Sequence, residues 1–227
     1  MIRLLDIIFS GMALLVLAPL LIPVCIILKL TGEHEIFYLQ ERVGARGLPF
    51  NIYKFATMLK ASPSIGPGTV TVREDPRVLP FGKFLRKTKM NELPQLLNIF
   101  FGHMSVIGPR PVTSREYGTY SEEARAAIEQ VMPGLSGIGS VIFRDEEALM
   151  TLDASPRVVY EEYIGPYKGR VEHWYASRVS VSMYMLLIFL TLFVVLFPRS
   201  KIVWTTFPDL PPPPVEIRAA LNYPSAA

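Results

Sequence analysis

Ile7 to Leu28 reads IIFSGMALLVLAPLLIPVCIIL, an apolar run without a charge, with Asp6 just before it and Lys29 just after. About 20 apolar residues are enough to cross the hydrocarbon core as a helix. A secretory leader fits poorly, because its apolar part covers roughly 7–15 residues and ends at a small-residue cleavage site. Pro19 and Pro23 divide the remaining readings. Each removes one helix hydrogen bond and crowds the preceding turn, so the run is either a spanning helix or a helix broken at its centre that enters and leaves by the same leaflet. Only Arg3 precedes the run, whereas Lys29, Arg42, Arg46, Lys54 and Lys60 follow it. That bias places the downstream chain in the cytoplasm under either reading.

The 227-residue chain has room for one ordinary domain beside this membrane element. Hydrophobic residues make up 50% of it and the mean hydropathy is +0.32, high for a water-soluble protein and low for a bundle of many membrane helices. A formal charge of +3 and a pI near 9.0 suit anionic lipid headgroups or phosphorylated substrates. A nucleic-acid binder is excluded by that modest charge and by the lack of interleaved basic and aromatic residues. Cys25 is the one cysteine, so no intrachain disulfide forms and nothing points to an oxidising compartment.

Beyond Leu30 the pattern becomes that of a small α+β domain. Ile36 to Gln40 and Phe50 to Met58 are rich in aromatic and β-branched residues, and Gly44 and Gly47 between them supply turn chemistry, so a β-hairpin is expected. Ser62 to Gly68 (SPSIGPG) reads as a loop. In NELPQLLNIFFG (Asn91 to Gly102), Leu93, Leu96, Leu97 and Phe100 recur at helical spacing, with Asn91 as the expected N-cap and Gly102 as the stop. Lys83, Arg86, Lys87 and Lys89 precede this helix, and its positive dipole end would join them in attracting a phosphate. Ser121 to Val131 reads as a serine-capped scaffold helix. Val179 to Phe197 is a second strongly apolar stretch, either a membrane helix or one bedded in the interface. After Pro198, the run Pro211 to Pro214 predicts an extended tail that packs little. The chain thus divides into a membrane-embedded re-entrant or spanning helix (1–30), a cytoplasmic domain (31–178), an apolar membrane or interfacial helix (179–198) and a Pro-rich tail (199–227).

Three blocks follow one another: FYLQERVGARGLPFNIYKFATM (Phe37 to Met58), DPRVLPFGKFLRKTKMNELPQLLNIFFGHMSVIGPRP (Asp75 to Pro111) and PGLSG (Pro133 to Gly137). Together they resemble the monotopic phosphoglycosyl transferases, a family of bacterial sugar transferases. The resemblance covers the N-terminal helix to about Gly137 and continues more loosely through Tyr175 and the apolar segment after it. It implies transfer of a sugar 1-phosphate from a UDP-sugar to undecaprenyl phosphate, with release of UMP and Mg2+ as cofactor. The reaction would take place at the cytoplasmic face of the bacterial inner membrane and begin glycan assembly. The resemblance also implies a re-entrant helix broken at a Ser-Pro pair, and Ala18-Pro19 occupies that place here.

The family's catalytic Asp-Glu pair corresponds to Asn91-Glu92 in this chain. In the family the aspartate is the nucleophile that forms a phosphoryl-enzyme, and the glutamate is a magnesium ligand. A neutral amide lacks the reactive lone pair that covalent catalysis needs, whereas Glu92 keeps a carboxylate suited to the metal. The family's YKFRTM also appears as YKFATM, with Ala56 in place of arginine, so one negative and one positive position are lost together. Three readings of Asn91 follow. The lipid phosphate attacks the UDP-sugar directly, with Glu92 and magnesium organising the two anions; Glu92 is itself the nucleophile; or Asn91 disables the first step. A different class of function stands beside these, a catalytically silent membrane scaffold of the same fold that binds a lipid phosphate or partner glycosyltransferases. Retention of Glu92, Arg86 and Arg110 argues against it.

Arg86 and Arg110 match arginines that the family uses near substrate phosphates, and a guanidinium fork suits bidentate phosphate contacts. Arg144, with Asp145 and Glu146, falls where the family carries a Gln-Val-Asn-Gly-Arg run, and reads either as a substrate loop or as a charged surface loop. Glu172 aligns where the family often has aspartate before a paired aromatic, here Trp174-Tyr175. His103 and His173 lack metal-ligand spacing and read as structural or exposed. The expected fold is α+β and membrane-associated, a re-entrant N-terminal helix joined to a small cytoplasmic catalytic domain of helices and a short β-hairpin.

Overall fold

The apolar run forms α1 (Ile2–Leu30), whose 29 residues stay helical through Pro19 and Pro23. The break expected at Ala18-Pro19 does not interrupt it. A proline withholds only its own N–H, and a backbone in apolar surroundings has no better partners for the remaining groups than its own helix. Within the most apolar window of α1 only 11% of the residues are buried, and Leu15 and Val16 stand out at 77% and 75% exposure. That surface suits lipid.

The computed structural model describes residues 1–64, 75–144 and 156–224. Most of the expected loop Ser62 to Gly68, and the acidic residues Asp145 and Glu146, lie outside the described residues; Ser62–Ser64 forms a 3-10 turn. The chain divides into two compact units, one built from Met1–Asp6, Arg42–Phe50 and Gly102–Ala227, the other from Ile7–Glu41 and Asn51–Phe101.

The second of these holds the end of α1, most of the expected hairpin and the helices α2 (Pro80–Lys87) and α3 (Gln95–Phe101). The hairpin pairs β1 (Phe37–Val43) with β2 (Pro49–Phe55). Val24 and Leu28, four positions apart and so on one face of α1, pack with Phe55 and Leu85 into a small core. Gly82 presses against the Thr57 carbonyl, where any side chain would collide with backbone. Asn98, fully buried on α3, accepts from the Tyr53 N–H at 2.9 Å and donates to the Asn51 carbonyl at 2.8 Å. It thereby does for β2 what a third strand would do, satisfying an edge donor and acceptor.

The first unit is organised by a parallel pair, β3 (Ser105–Ile107) beside β4 (Gly134–Ser136), with Ser105 opposite Gly134 and Ile107 opposite Ser136. Between them run α4 (Ser114–Tyr117) and α5 (Glu122–Ile128), the latter capped by the expected Ser121, whose hydroxyl accepts from the Ala124 N–H at 3.2 Å. After β4 come α6 (Ile138–Ile142) and α7 (Pro156–Val159), which passes through a π turn at Tyr160–Ile164 into α8 (Gly165–Ala176). The second apolar stretch is α9 (Val181–Leu196), which buries Tyr184, Leu187, Leu190 and Val194 and exposes Met185, Phe189, Leu192 and Leu196.

The Pro-rich tail departs from expectation. It forms α10 (Ile202–Thr206) and α11 (Val215–Arg218) and buries Trp204, Phe207, Leu210, Ile217 and Leu221. Phe207 meets Trp174 edge to face at 5.1 Å, the Trp174 indole N–H donates to Asp209 at 3.0 Å, and Tyr167 donates to the Pro211 carbonyl at 2.8 Å. Proline composition signalled an extended backbone; the apolar residues between the prolines decided that it packs.

Candidate functional site

Arg86, Asn91 and Glu92 lie together in the unit that holds α2 and α3. Helix α2 ends at Lys87, and Lys89 takes a left-handed backbone (φ 58°) that starts a 3-10 turn at Met90–Glu92. Asn91 is therefore inside this turn and is not the N-cap of α3, which begins only at Gln95. The chain tightens here into bonds three residues apart, Glu92 N–H to Lys89 O and Leu93 N–H to Met90 O, both at 3.1 Å, and Pro94, which has no N–H to offer the Met90 carbonyl, follows this turn. The phosphate-attracting helix end expected at Asn91 is thus replaced by side chains.

Two of those side chains reach the end of β2 and the residues just after it. Lys54 Nζ lies 4.0 Å from Glu92 Oε1, with both side chains largely buried. Three positions further on, the Thr57 hydroxyl accepts from Arg86 Nη1 at 3.5 Å. Lys54 and Thr57 were legible only as members of the YKFATM block; their pairing with Glu92 and Arg86 needed the fold. Asn91 is 9% exposed, Gln95 only 2%, and Asn91 Oδ1 and Gln95 Nε2 have no hydrogen-bond partner among the described residues. Buried polar atoms left this way are uncommon, and an ordered water, an ion or a ligand can complete their bonding.

The donor set can be matched to the implied magnesium. Among the described residues no three His, Cys, Asp or Glu side chains gather into a metal cage. One carboxylate, Glu92, and one unpartnered amide oxygen, Asn91 Oδ1, stand on consecutive residues. Magnesium is commonly held by one or two protein oxygens with substrate phosphates supplying others, and the residues present fit that mode.

Arg110 and Glu172 belong to the other unit. Gly108, Pro109, Arg110 and Pro111 continue from β3 and are fastened to β4: Gly108 N–H donates to the Ser136 carbonyl at 2.9 Å, and Gly134 N–H to the Pro109 carbonyl at 2.8 Å. Gly108, Gly134 and Gly137 all meet backbone where a Cβ would sit, which explains the glycines of GPRP and PGLSG together. Arg110 is exposed. Its backbone N–H donates to Glu172 Oε1 at 3.4 Å. Glu172 is 3% exposed. Burial pushes its carboxyl up to about 8, although the Arg110 N–H and the charges of Lys168 and Arg110 act the other way. Arg144 is exposed and donates to the Val195 carbonyl at 3.2 Å, so here it closes the end of α9. His103 and His173 are exposed.

The family model described as bacterial sugar transferase matches residues 1–198. An exopolysaccharide production protein, PSS, of Rhizobium leguminosarum bv. phaseoli is 38% identical over 144 residues, covering 61% of this chain and 72% of that protein. The undecaprenyl-phosphate glucose phosphotransferase of Komagataeibacter xylinus is 35% identical over 168 residues, which are 71% of this chain and 32% of that one. The undecaprenyl-phosphate galactose phosphotransferase of Salmonella typhimurium is 31% identical over 175 residues, 71% of this chain and 35% of its own length.

Proposed function

Because the chain belongs to the bacterial sugar transferase family, we propose that it moves a sugar 1-phosphate from a UDP-sugar to undecaprenyl phosphate, releasing UMP and beginning glycan assembly. The observation that carries this reading is the pairing of Lys54 with Glu92 on β2, with Arg86 bonded to Thr57 just past the end of that strand and the amide of Asn91 buried next to Glu92 in sequence.

An oxygen of the lipid phosphate attacks the phosphorus that bears the sugar. The bond from that phosphorus to the bridging oxygen breaks, and its electron pair leaves with UMP. Such transfers ask the protein mainly for alignment and charge neutralisation. Arg86 and Lys54 offer cations to the diphosphate, and Arg110 offers a fork to a phosphate. Glu92 and Asn91 Oδ1 would hold magnesium, which when bound neutralises charge on the diphosphate. Asn91 cannot carry the phosphoryl group, and with Glu92 given to the metal the transfer passes in one step without a covalent enzyme.

The membrane arrangement has support of its own. The start of α1 is tied through Asp6 to Ser105 and Val106, and its end packs on Phe55 and Leu85. The basic residues that follow α1, Lys29, Arg42, Arg46, Lys54 and Lys60, favour the cytoplasmic side for the chain beyond it. Helix α9 has 16 residues, about 24 Å at 1.5 Å per residue, short of a hydrocarbon core of about 30 Å. With one face buried and an apolar face exposed, it suits the interface better than a span.

Purified protein incubated with undecaprenyl phosphate and UDP-glucose or UDP-galactose tests the proposal. Magnesium-dependent UMP release is expected, with no phosphoryl adduct by intact mass, and Glu92→Gln is expected to lower kcat by roughly 10²–10³-fold. Release of UMP only by an Asn91→Asp variant would defeat one-step transfer. Absence of release by both forms with a panel of UDP-sugars would leave the scaffold reading.

A further inference from the structure

We infer that Glu172 is a positioning residue for the transferase: its buried carboxyl holds the backbone of Arg110 from beneath and so sets how the guanidinium meets a substrate phosphate. The inference rests on the proposed role of Arg110.

The local wiring points to this role. Pro109 and Pro111 have no N–H, so the Arg110 N–H is the single backbone donor between Gly108 and Val112. Gly108 and Pro109 are fastened to β4, and the Arg110 donor goes to Glu172 Oε1. Glu172 cannot retreat, since Gly139 at the start of α6 leaves no space for even a Cβ beside its carboxyl. Its second oxygen, Oε2, has no hydrogen-bond partner among the described residues. A buried carboxyl that spends one oxygen on a backbone N–H and leaves the other unsatisfied is expensive for packing alone, where an apolar side chain would serve.

Among the described residues, the charged and titratable groups that act on this carboxyl are Arg110 from the GPRP segment and Lys168 and Tyr175 from α8 itself. While Glu172 keeps its proton, it competes little for the Arg110 guanidinium. Once ionised, it attracts both cations, and movement of the guanidinium toward it is movement away from the phosphate.

The protein, assayed for UMP release with UDP-glucose or UDP-galactose and undecaprenyl phosphate from about two pH units below to about two above the value near 8, with thermal melts as the folding control, tests this. Wild-type kcat/KM is expected to fall as pH rises through about 8, and Glu172→Gln, which keeps the acceptor and cannot ionise, is expected to lose that limb while staying active. Glu172→Ala should raise KM for the UDP-sugar by roughly 10- to 100-fold, the scale of a misplaced contact. That loss should largely vanish in an Arg110→Ala background, because the two residues act through one contact. If Arg110→Ala raises KM while the Glu172 variants change neither KM nor the alkaline limb, or add to Arg110→Ala in full, the Glu172 assignment is overturned alone. If Arg110→Ala leaves KM unchanged, the phosphate-binding role of Arg110 falls and this inference falls with it.

Discussion

The Tyr184 hydroxyl donates a 2.8 Å hydrogen bond to Asp6 Oδ1, joining the start of α1 to α9 across 178 positions of sequence. The same oxygen accepts from the Ser105 hydroxyl at 2.9 Å and from the Val106 N–H at 2.8 Å. Asp6 and Ser105 are each 2% exposed, Tyr184 is fully buried and Val106 is half-buried, so all three donors depend on this one largely buried acceptor.

Replacing Asp6 by alanine should therefore be far more damaging than its place at the end of an apolar run suggests. Leaving buried donors unmatched costs about 1–3 kcal/mol each, so Asp6→Ala should lower stability by roughly 3 kcal/mol or more, and Tyr184→Phe by about 1 kcal/mol. Thermal melts of detergent-purified protein measure both. Equal, small losses for the two variants would contradict the shared-acceptor arrangement.

The glycines of the parallel pair give a second expectation. Gly134 meets the Gly108 backbone where a Cβ would sit, so Gly134→Ala must push β3 and β4 apart. Overpacking of this kind costs roughly 1–3 kcal/mol. Because GPRP hangs from the same contact, the KM for the UDP-sugar should rise together with the loss of melting temperature, and a variant with wild-type KM and stability would refute the linkage.

The tail should be structural. Trp204 is 7% exposed, and its indole N–H donates to the Leu221 carbonyl at 3.3 Å. Trp204→Ala should destabilise by roughly 3–5 kcal/mol, as large-to-small changes at buried aromatics do. Limited proteolysis offers a direct reading: residues beyond Pro198 should resist cleavage in the wild type and become susceptible in the variant.

Glu172 makes stability depend on pH in a defined direction. Its folded value of about 8 lies above the ordinary 4.5, so between these the unfolded chain has lost a proton that the folded chain retains. Stability from this group is fully present below pH 4.5, falls by about 1.4 kcal/mol per unit as pH rises, and levels off above the folded value. Denaturation of wild type and Glu172→Gln at pH 5 and pH 8 should show the variant gaining relative to wild type at the higher pH (values on either side of most of that window). Parallel curves would mean the carboxyl is not buried as described.

Reading the sequence reached as far as local signals reach. The apolar length of α1 and α9, the hairpin with its glycine turn, the serine cap at Ser121 and the stop at Gly102 (φ 93°) all follow from spacing and backbone preference within a few residues. Glu92, Arg86 and Arg110 were legible as the polar members of a motif order. Asn91 carries the signal of a cap because Asn stands before an apolar period, yet the chain enters a 3-10 turn through the left-handed Lys89 and α3 starts only at Gln95.

By itself the sequence determined the two long apolar helices, the hairpin and the Ser121 cap, since these depend on neighbours along the chain. Only the tertiary structure decided that Asp6, Asn98 and Glu172 are buried polar anchors, that β3 lies parallel to β4, and that the Pro-rich tail packs on α8. The physical reason is that burial and hydrogen-bond pairing are properties of groups far apart in the chain. A lone carboxyl or amide is spelled the same way whether it faces water or carries three buried donors.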